Sequence, residues 1–239
     1  LLLVDLGHGK NRLGASIAAQ VFCKMGAEAP DVESAKELRS FFETIQKLNA
    51  EGKILAYHDK SDGGLYTTAL EMAFAGHVGV TLDISKLAGS ELEILFNEEL
   101  GAVLQVATEN VSAVLSAFEN AGLKECVSDI GTLNDSYEYR IGNYAENISD
   151  LRAIWSDTTR RISALRDNPE CAESEYKLKL EEADPGITPK VTFDISVTHD
   201  YESRPKMAIL REQGVNGEVE MAAAFNKAGF ESIDVHMTD

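Results

Sequence analysis

The chain changes from apolar to polar and back within the stretch Ala56-Tyr57-His58-Asp59-Lys60-Ser61-Asp62-Gly63-Gly64-Leu65. The apolar run Lys53-Ile54-Leu55-Ala56-Tyr57 that leads into it predicts a strand, and the apolar-periodic run from Leu65 predicts a helix. The two glycines between them allow positive φ and a close approach of the backbone to a ligand. The stretch therefore predicts a strand, a tight turn and a helix start whose amides face any anion placed there.

Three side chains in this turn have chemistry that suits a metal-bound nucleotide. Asp59 and Asp62 supply the hard carboxylate oxygens that Mg²⁺ prefers, and the Ser61 hydroxyl can bind a phosphate or cap the helix. The same residues also make an ordinary turn, because an Asp-Gly-Gly sequence with a Ser or Asp cap is common loop chemistry. From the residues alone, a nucleotide site and a purely structural turn both remain open.

The composition is that of a globular protein with an acidic surface. The chain has 239 residues, 44% hydrophobic content and a formal net charge of −18, which suits one large domain or two small ones. The negative charge argues against nucleic acid or an anionic membrane as a partner, so a phosphate ligand needs a local site. The widely spaced Cys23, Cys126 and Cys171 predict neither a disulfide framework nor a zinc site, and they favour a reducing, cytoplasmic location.

The first residues, Leu1-Leu2-Leu3-Val4-Asp5-Leu6, predict a buried strand. The run is too short for a transmembrane helix and lacks the basic flank of a signal peptide. No Met precedes it, and the chain stops soon after another strand-like run. We therefore expect the sequence to be a piece of a larger protein.

A second glycine-rich loop covers residues 7–14, between the first strand and a helix predicted over 15–25. It is not a Walker A loop, because no Gly-Lys-Ser/Thr closes it. It is not the dinucleotide fingerprint either, because Gly14 falls too late. The loop by itself therefore gives little indication of a nucleotide site.

Helix-like and strand-like patterns alternate through the first 150 residues and predict a mixed α/β layered domain. Helices are predicted around residues 38–48, 65–75 and 111–120, and strands over 78–84, 102–106, 127–133 and 137–141. Between two of these elements lies Glu98. It could be a functional carboxylate or an acid on a solvated helix end, and the pattern leaves both open.

Beyond residue 150 the pattern changes twice. A helix is predicted from Leu151 to Leu165, and the acidic, Pro- and Gly-containing stretch from Glu170 to Arg204 predicts a partly extended linker. From Lys206 onward a strand, a helix and a second strand give a βαβ opening, as at the start of a doubly wound parallel sheet.

Together these motifs resemble phosphoribosylformylglycinamidine synthase, the large single-chain amidotransferase of the purine pathway. The resemblance covers essentially the whole chain. The residues that carry it are Leu3-Val4-Asp5-Leu6-Gly7, Leu13-Gly14-Ala15-Ser16, His58-Asp59-Lys60-Ser61-Asp62-Gly63-Gly64-Leu65, Phe96-Asn97-Glu98-Glu99-Leu100-Gly101-Ala102, Leu165-Arg166-Asp167-Asn168-Pro169-Glu170-Cys171 and Arg211-Glu212-Gln213-Gly214-Val215-Asn216.

The resemblance implies three regions. Residues 1–150 look like an aminoimidazole ribonucleotide synthetase C-terminal-like domain, with a mixed α/β sheet and flanking helices. Residues 151–204 form a helix and an acidic linker. Residues 205–239 look like the truncated start of a flavodoxin-like class I glutamine amidotransferase domain.

The implied reaction converts formylglycinamide ribonucleotide, glutamine and ATP to formylglycinamidine ribonucleotide, ADP, phosphate and glutamate. Family roles carried onto this sequence make Asp59 a Mg²⁺ ligand and place Ser61, Gly63 and Gly64 against the nucleotide, ATP or ADP. The implied partners are the substrates and the remaining synthetase and glutaminase domains of the same protein.

The sequence departs from the family in its glutaminase portion. The family's nucleophilic Cys, at a strand-to-helix elbow, and its His and Glu are not found here, and Cys171 in the predicted linker is not that nucleophile. We therefore expect this piece to be inactive alone. Whether its nucleotide site turns over or only holds a nucleotide as a structural element stays open.

Overall fold

The computed structural model describes residues 1–194 and 201–238. The described contacts divide the chain into two compact units, Leu1–Asp184 and Pro185–Asp239. Residues 195–200 of the predicted linker and residue 239 of the predicted amidotransferase region lie outside the described residues. The predicted domain limits at 150 and 204 stay predictions.

The strands and helices follow one another through both units. The strands are β1 (Leu2–Asp5), β2 (Ala56–Asp59), β3 (Gly79–Leu82), β4 (Gly101–Gln105), β5 (Val127–Asp129), β6 (Gly131–Asn134), β7 (Glu138–Ile141), β8 (Tyr144–Asn147), β9 (Lys206–Arg211) and β10 (Glu231–His236). The helices are α1 (Ile17–Val21), α2 (Ala35–Ala50), α3 (Gly64–Gly76), α4 (Glu91–Phe96), α5 (Val111–Asn120), α6 (Ile148–Arg166), α7 (Pro169–Lys179) and α8 (Glu218–Lys227).

The first unit contains two four-stranded sheets. One has the order β2-β4-β1-β5 with antiparallel neighbours, and the other has the order β6-β3-β7-β8, in which β3 and β7 are parallel. The predicted mixed α/β class is therefore confirmed, with the strands divided between two sheets.

Alternating side chains of β1 build two hydrophobic cores, because successive residues of a strand point to opposite faces. Leu2 and Val4 lie in a core with α2 and α5, whereas Leu3 lies in a core with α3 and the second sheet. The predicted burial of the first strand is confirmed, since Val4 is fully buried.

The strand predicted over 127–133 is two strands in different sheets. β5 pairs with β1 and β6 pairs with β3. The buried Ile130 lies between them, where its N–H donates to the carbonyl of Leu1 and its carbonyl accepts from the N–H of Asp83. The strand-like pattern over 127–133 concealed this change of sheet, because both sides of the junction are strand.

The linker predicted from Glu170 begins later than expected, because α7 is a regular helix. Asn168 caps it by accepting from the N–H of Cys171, and Pro169 occupies its first turn, a position where the missing N–H costs nothing. α7 packs on α6 through the buried Ala172 and through Tyr176, whose hydroxyl donates to the carbonyl of Ala153 at 3.2 Å. The Pro169 that ends one helix therefore starts another.

The helix predicted over 15–25 is also shorter than expected, since α1 covers only Ile17–Val21. Cys23 has a φ of 53°, outside the helical region. The second unit matches its prediction: β9 and β10 are parallel neighbours, and α8 connects them along the chain. None of the described helices is both long and apolar enough to cross a membrane.

Candidate functional site

Two strands end at the same edge of the first sheet. β1 and β2 are both antiparallel to β4, which lies between them, so they are parallel to each other. Asp5 at the end of β1 is opposite Gly101, and Asp59 at the end of β2 is opposite Ala102. The predicted turn and the glycine-rich loop after β1 therefore leave the sheet on either side of the start of β4.

Asp59 and Ser61 are both exposed at this edge. The Asp59 carboxylate accepts a hydrogen bond from the Tyr57 hydroxyl, two residues earlier on β2. Partial burial, together with this bond to Asp59, raises the pKa of Tyr57 above its ordinary value, so the hydroxyl stays a donor at neutral pH. Tyr57 thus orients the carboxylate predicted to bind metal.

The donor set suits a metal that is shared with a phosphate. Asp59 and Asp62 are exposed carboxylates, but among the described parts of the chain no three His, Cys, Asp or Glu side chains are grouped to hold an ion. Mg²⁺ commonly keeps several waters and binds through one or two carboxylates plus substrate phosphates. The residues therefore fit a Mg²⁺–nucleotide better than a free ion.

Gly63 and Gly64 both have left-handed backbones, with φ of 82° and 64°. Their amides are engaged inside the protein: the N–H of Gly63 donates to Glu98 Oε1 at 2.9 Å, and the N–H of Gly64 donates to the carbonyl of Ser61 at 2.9 Å. A Cβ at Gly64 would lie 2.6 Å from the carbonyl oxygen of Leu95. The second glycine is therefore required by close backbone packing.

The carboxylate of Glu98 is bound by backbone amides at two helix starts. Its half-buried carboxylate accepts through Oε1 from the N–H of Ile17 and from the N–H of Gly63, each at 2.9 Å. These amides belong to the starts of α1 and α3. Glu98 therefore ties together the first turns of two helices.

A buried ammonium group lies behind the turn. Lys60 is only 6% exposed, and its Nζ donates to Asn97 Oδ1 at 2.7 Å and to Asp5 Oδ1 at 3.2 Å. Burial lowers the pKa of Lys60, and the charges of Asp5 and then Glu99 oppose that shift. Asp5 also accepts from the N–H groups of Gly7 and Gly9, so the end of β1, the glycine-rich loop and the turn share one polar network.

The other buried charge at this edge is Glu99, which pairs with Arg12 of the glycine-rich loop. Sequence reasoning assigned no role to Asp5, Arg12, Lys60, Asn97 or Glu99. Charged side chains are rarely fully buried, so the residue types alone gave no indication of an interior network. The one signal was the polar run Asn97-Glu98-Glu99 placed immediately before a buried strand.

Two cavities lie in the first unit, and the first of them borders the network. One of about 230 Å³ has Asp5, Lys60 and Asn97 in its wall. The other, of about 490 Å³, is mainly apolar and includes His58 and Glu71. His58 Nε2 lies 2.7 Å from Glu71 Oε2, and Glu71 also accepts from Trp155 Nε1 at 2.9 Å. His58 thus links β2 to α3 by way of Glu71.

Comparison with known families accounts for both units. Residues 2–142 match the family described as AIR synthase related protein, C-terminal domain. Residues 204–239 match the CobB/CobQ-like glutamine amidotransferase domain. Because the first match covers more than half of the chain, the protein belongs to the AIR synthase related family. The two kinds of domain that the sequence resemblance implied are thereby confirmed, in the expected order.

Similar solved structures include two from Thermotoga maritima, PurL and PurLQS. PurL complexed with FGAR is 16% identical with a TM-score of 0.48, over 63% of this chain and 27% of that one. PurLQS is 14% identical with a TM-score of 0.48, over 62% and 25%. A hydrogenase maturation protein, HypE, is 22% identical with a TM-score of 0.37, over 55% and 43%. This chain thus spans about a quarter of the length of those PurL structures.

Proposed function

We propose that this chain is part of a phosphoribosylformylglycinamidine synthase, an ATP-dependent ligase that forms a C–N bond. The observation that carries the proposal is the succession of the two family matches, the synthetase-type domain at 2–142 and the amidotransferase start at 204–239. An enzyme that moves ammonia from glutamine to an ATP-activated amide needs both kinds of domain. In this proposal formylglycinamide ribonucleotide, ATP and the enzyme's remaining domains are the partners, and the location is cytoplasmic.

Within that enzyme we assign the edge near Asp59 to a Mg²⁺–nucleotide. Bound Mg²⁺ would neutralise phosphate charge. Asp59 would hold the ion in the orientation set by the Tyr57 hydroxyl, and the exposed Ser61 hydroxyl would donate to a phosphate. Gly63 and Gly64, whose amides are engaged with Glu98 and Ser61, would shape the turn that places Asp59 and Ser61 against the nucleotide.

A structural, non-reacting nucleotide is the second candidate, and the engaged amides favour it. Transfer of a phosphoryl group is accelerated by donors aimed at the charge that develops in the transition state. At this turn the N–H groups of Gly63 and Gly64 already have acceptors within the chain. Exchange of labelled bound nucleotide during turnover of the intact enzyme separates the two candidates, because a structural nucleotide stays in place.

The metal assignment is tested by titrating Mg²⁺–ADP into the parent chain and the Asp59→Ala variant. Loss of a partner to a charged group costs about 1 to 3 kcal/mol, so Kd should rise roughly 5- to 150-fold. Asp135→Ala is the matched control, because Asp135 is an exposed acid in the β6–β7 turn. Equal Kd values for Asp59→Ala and the parent would refute the assignment.

We also propose that the 239-residue chain alone neither hydrolyses glutamine nor makes the amidine. A glutaminase of this kind needs an activated thiolate, and residues 205–239 contain no cysteine. The exposed Cys171 lies in α7, in the other unit. Glutamate release that scales with the concentration of the chain and persists in Cys171→Ala would contradict this proposal.

A further inference from the structure

Two helix starts that are far apart in sequence share one carboxylate oxygen. Glu98 Oε1 accepts from the N–H of Ile17 in α1 and from the N–H of Gly63 at the start of α3. The first amide follows the glycine-rich loop after β1, and the second closes the Asp59–Gly64 turn after β2. One side chain therefore joins the two loops that leave the same edge of the sheet.

α3 has a particular need for this acceptor. The first N–H groups of a helix have no partner inside the helix, and a Ser, Thr, Asp or Asn side chain usually supplies one. The cap residue of α3 is Gly63, which makes no side-chain cap. Glu98 instead accepts from the N–H of the cap residue Gly63, as the acid of a capping box does, and its negative charge suits the positive end of the helix dipole.

The backbone on both sides of Glu98 is itself fixed. Asn97 is 2% exposed and accepts from the buried Lys60, while the fully buried Glu99 pairs with Arg12. The Glu98 carboxylate therefore projects from an anchored segment. Its position is therefore fixed independently of the turn that it contacts.

We propose that Glu98 is a positioning residue that holds the Asp59–Gly64 turn in the form that binds Mg²⁺–nucleotide. The inference rests on the proposed function. Gly63 is bound to Glu98, and Gly64 is bound back to the carbonyl of Ser61. β2 holds Asp59 opposite Ala102, so release of Gly63 loosens the part of the turn that follows it, from Ser61 to Gly64. The role needs an oxygen acceptor at this place and does not need a metal ligand there.

Two substitutions separate the acceptor from the charge. Glu98→Gln keeps a side-chain oxygen able to accept both N–H groups, whereas Glu98→Ala removes it. In titrations with Mg²⁺–ADP we expect Glu98→Ala to raise Kd about tenfold, the scale of one to two hydrogen bonds. Glu98→Gln should recover most of that loss. Glu91→Ala is the control, since Glu91 is an exposed acid in the first turn of α4.

Amide hydrogen exchange measures directly, with no ligand present, the protection that the two hydrogen bonds to Glu98 provide. The amides of Ile17 and Gly63 should both exchange faster in Glu98→Ala than in the parent, while amides in the centre of β4 keep their protection. Parallel loss at both positions is the signature of a shared acceptor. If Glu98→Ala fails to fold, Glu98→Met, which keeps the length of the side chain but has no oxygen acceptor, takes its place in both measurements.

Three results would overturn the inference. Glu98→Gln binding as weakly as Glu98→Ala would show that binding requires the negative charge and not merely an oxygen acceptor. Tighter binding of inorganic phosphate or Mg²⁺–ADP by Glu98→Ala would show that the carboxylate competes with phosphate at the start of α3. Unchanged exchange at Ile17 and Gly63 would show that the two bonds do not hold the turn.

If the proposed function is wrong, the binding and exchange measurements give a different set of results. If Asp59→Ala binds Mg²⁺–ADP as tightly as the parent while Glu98→Ala accelerates both amides, the nucleotide assignment is wrong and the tie made by Glu98 is real. If the parent binds no Mg²⁺–ADP, both the nucleotide assignment and the positioning role are overturned.

Discussion

The guanidinium of Arg12 makes a two-bond ion pair with the carboxylate of Glu99, from Nε to Oε1 at 2.7 Å and from Nη2 to Oε2 at 2.8 Å. The Arg12 backbone N–H adds a third bond to Oε1 at 3.0 Å. Glu99 is fully buried, and the Arg12 side chain is 11% exposed. The bonds and charge of Glu99, with further support from Glu33, raise the pKa of Arg12. This pair fixes the glycine-rich loop to the segment that carries Glu98.

Removing one partner of this pair should cost much more stability than removing a surface partner. Glu99→Ala removes the buried partner of the guanidinium and leaves it only the partly exposed Glu33, and loss of a partner to a buried charge is destabilising. Glu43→Ala is the matched control, because Arg39 and Glu43 form an ion pair with side chains 79% and 60% exposed, where little stability is at stake. Urea denaturation should show a several-fold larger loss for Glu99→Ala. Equal losses would contradict the importance of the buried pair.

The sequence predicted the secondary structure around Asp59 but not the buried charged residues next to it. A strand ending at Asp59, a glycine turn and a helix after it could be predicted because apolar periodicity and glycines report local backbone structure. Lys60 and Glu99 could not be placed in the interior. Their burial depends on partners, Asp5 and Arg12, that are distant in the chain. Local patterns carry no information about such pairing.

The same limit explains the two boundary errors. The composition after Glu170 is that of a solvated segment, yet α7 forms because Asn168 and Pro169 start a helix that rests on α6. The run 127–133 divides at Ile130 because its two halves find different neighbours, β1 and β3. In both cases tertiary contacts decided what propensity left undetermined.

Gly64→Ala should destabilise the first unit more than Gly52→Ala. The two glycines have nearly the same backbone, with φ of 64° and 66°, but a Cβ at Gly64 would meet the carbonyl oxygens of Leu95 and Asn97 at 2.6 and 2.7 Å, whereas a Cβ at Gly52 meets nothing within 4 Å. Both variants carry the left-handed cost of roughly 1 kcal/mol. Gly64→Ala adds about 1 to 3 kcal/mol of overpacking, which urea denaturation of both variants measures. Equal losses would mean that the turn moves away from residues 95–97 without cost.

The folding stability of the protein should fall at alkaline pH because Tyr139 is buried. Its hydroxyl donates to the carbonyl of Tyr66 at 2.9 Å, and burial raises its pKa well above the ordinary value of 10. Above pH 10 the unfolded chain loses this proton while the folded chain keeps it, so the folded state binds more protons and stability falls as pH rises. Tyr139→Phe removes this contribution and also one hydrogen bond.

We therefore expect Tyr139→Phe to be about 1 kcal/mol less stable than the parent at neutral pH and to lose less stability between pH 9.5 and 11. The measurement is urea denaturation at a series of pH values. Tyr176→Phe is the control, because it also removes a bond from a hydroxyl to a backbone carbonyl but from a half-buried side chain. Parallel pH profiles for the parent and Tyr139→Phe would contradict the explanation.

Limited trypsin digestion should cut the beginning of the second compact unit before it cuts the first unit. Residues 185–194 contain neither helix nor strand, and Ile187 in that segment is 97% exposed. Proteases act on backbone that buries little apolar surface and can leave its place easily, so Lys190 should be cleaved early. The lysines of α7 should resist longer than a simple linker would allow, because the helix is held on α6 by Ala172 and Tyr176. Mass spectrometry of the earliest fragments decides the matter, and first cuts between Leu1 and Val106 would contradict the division of the chain.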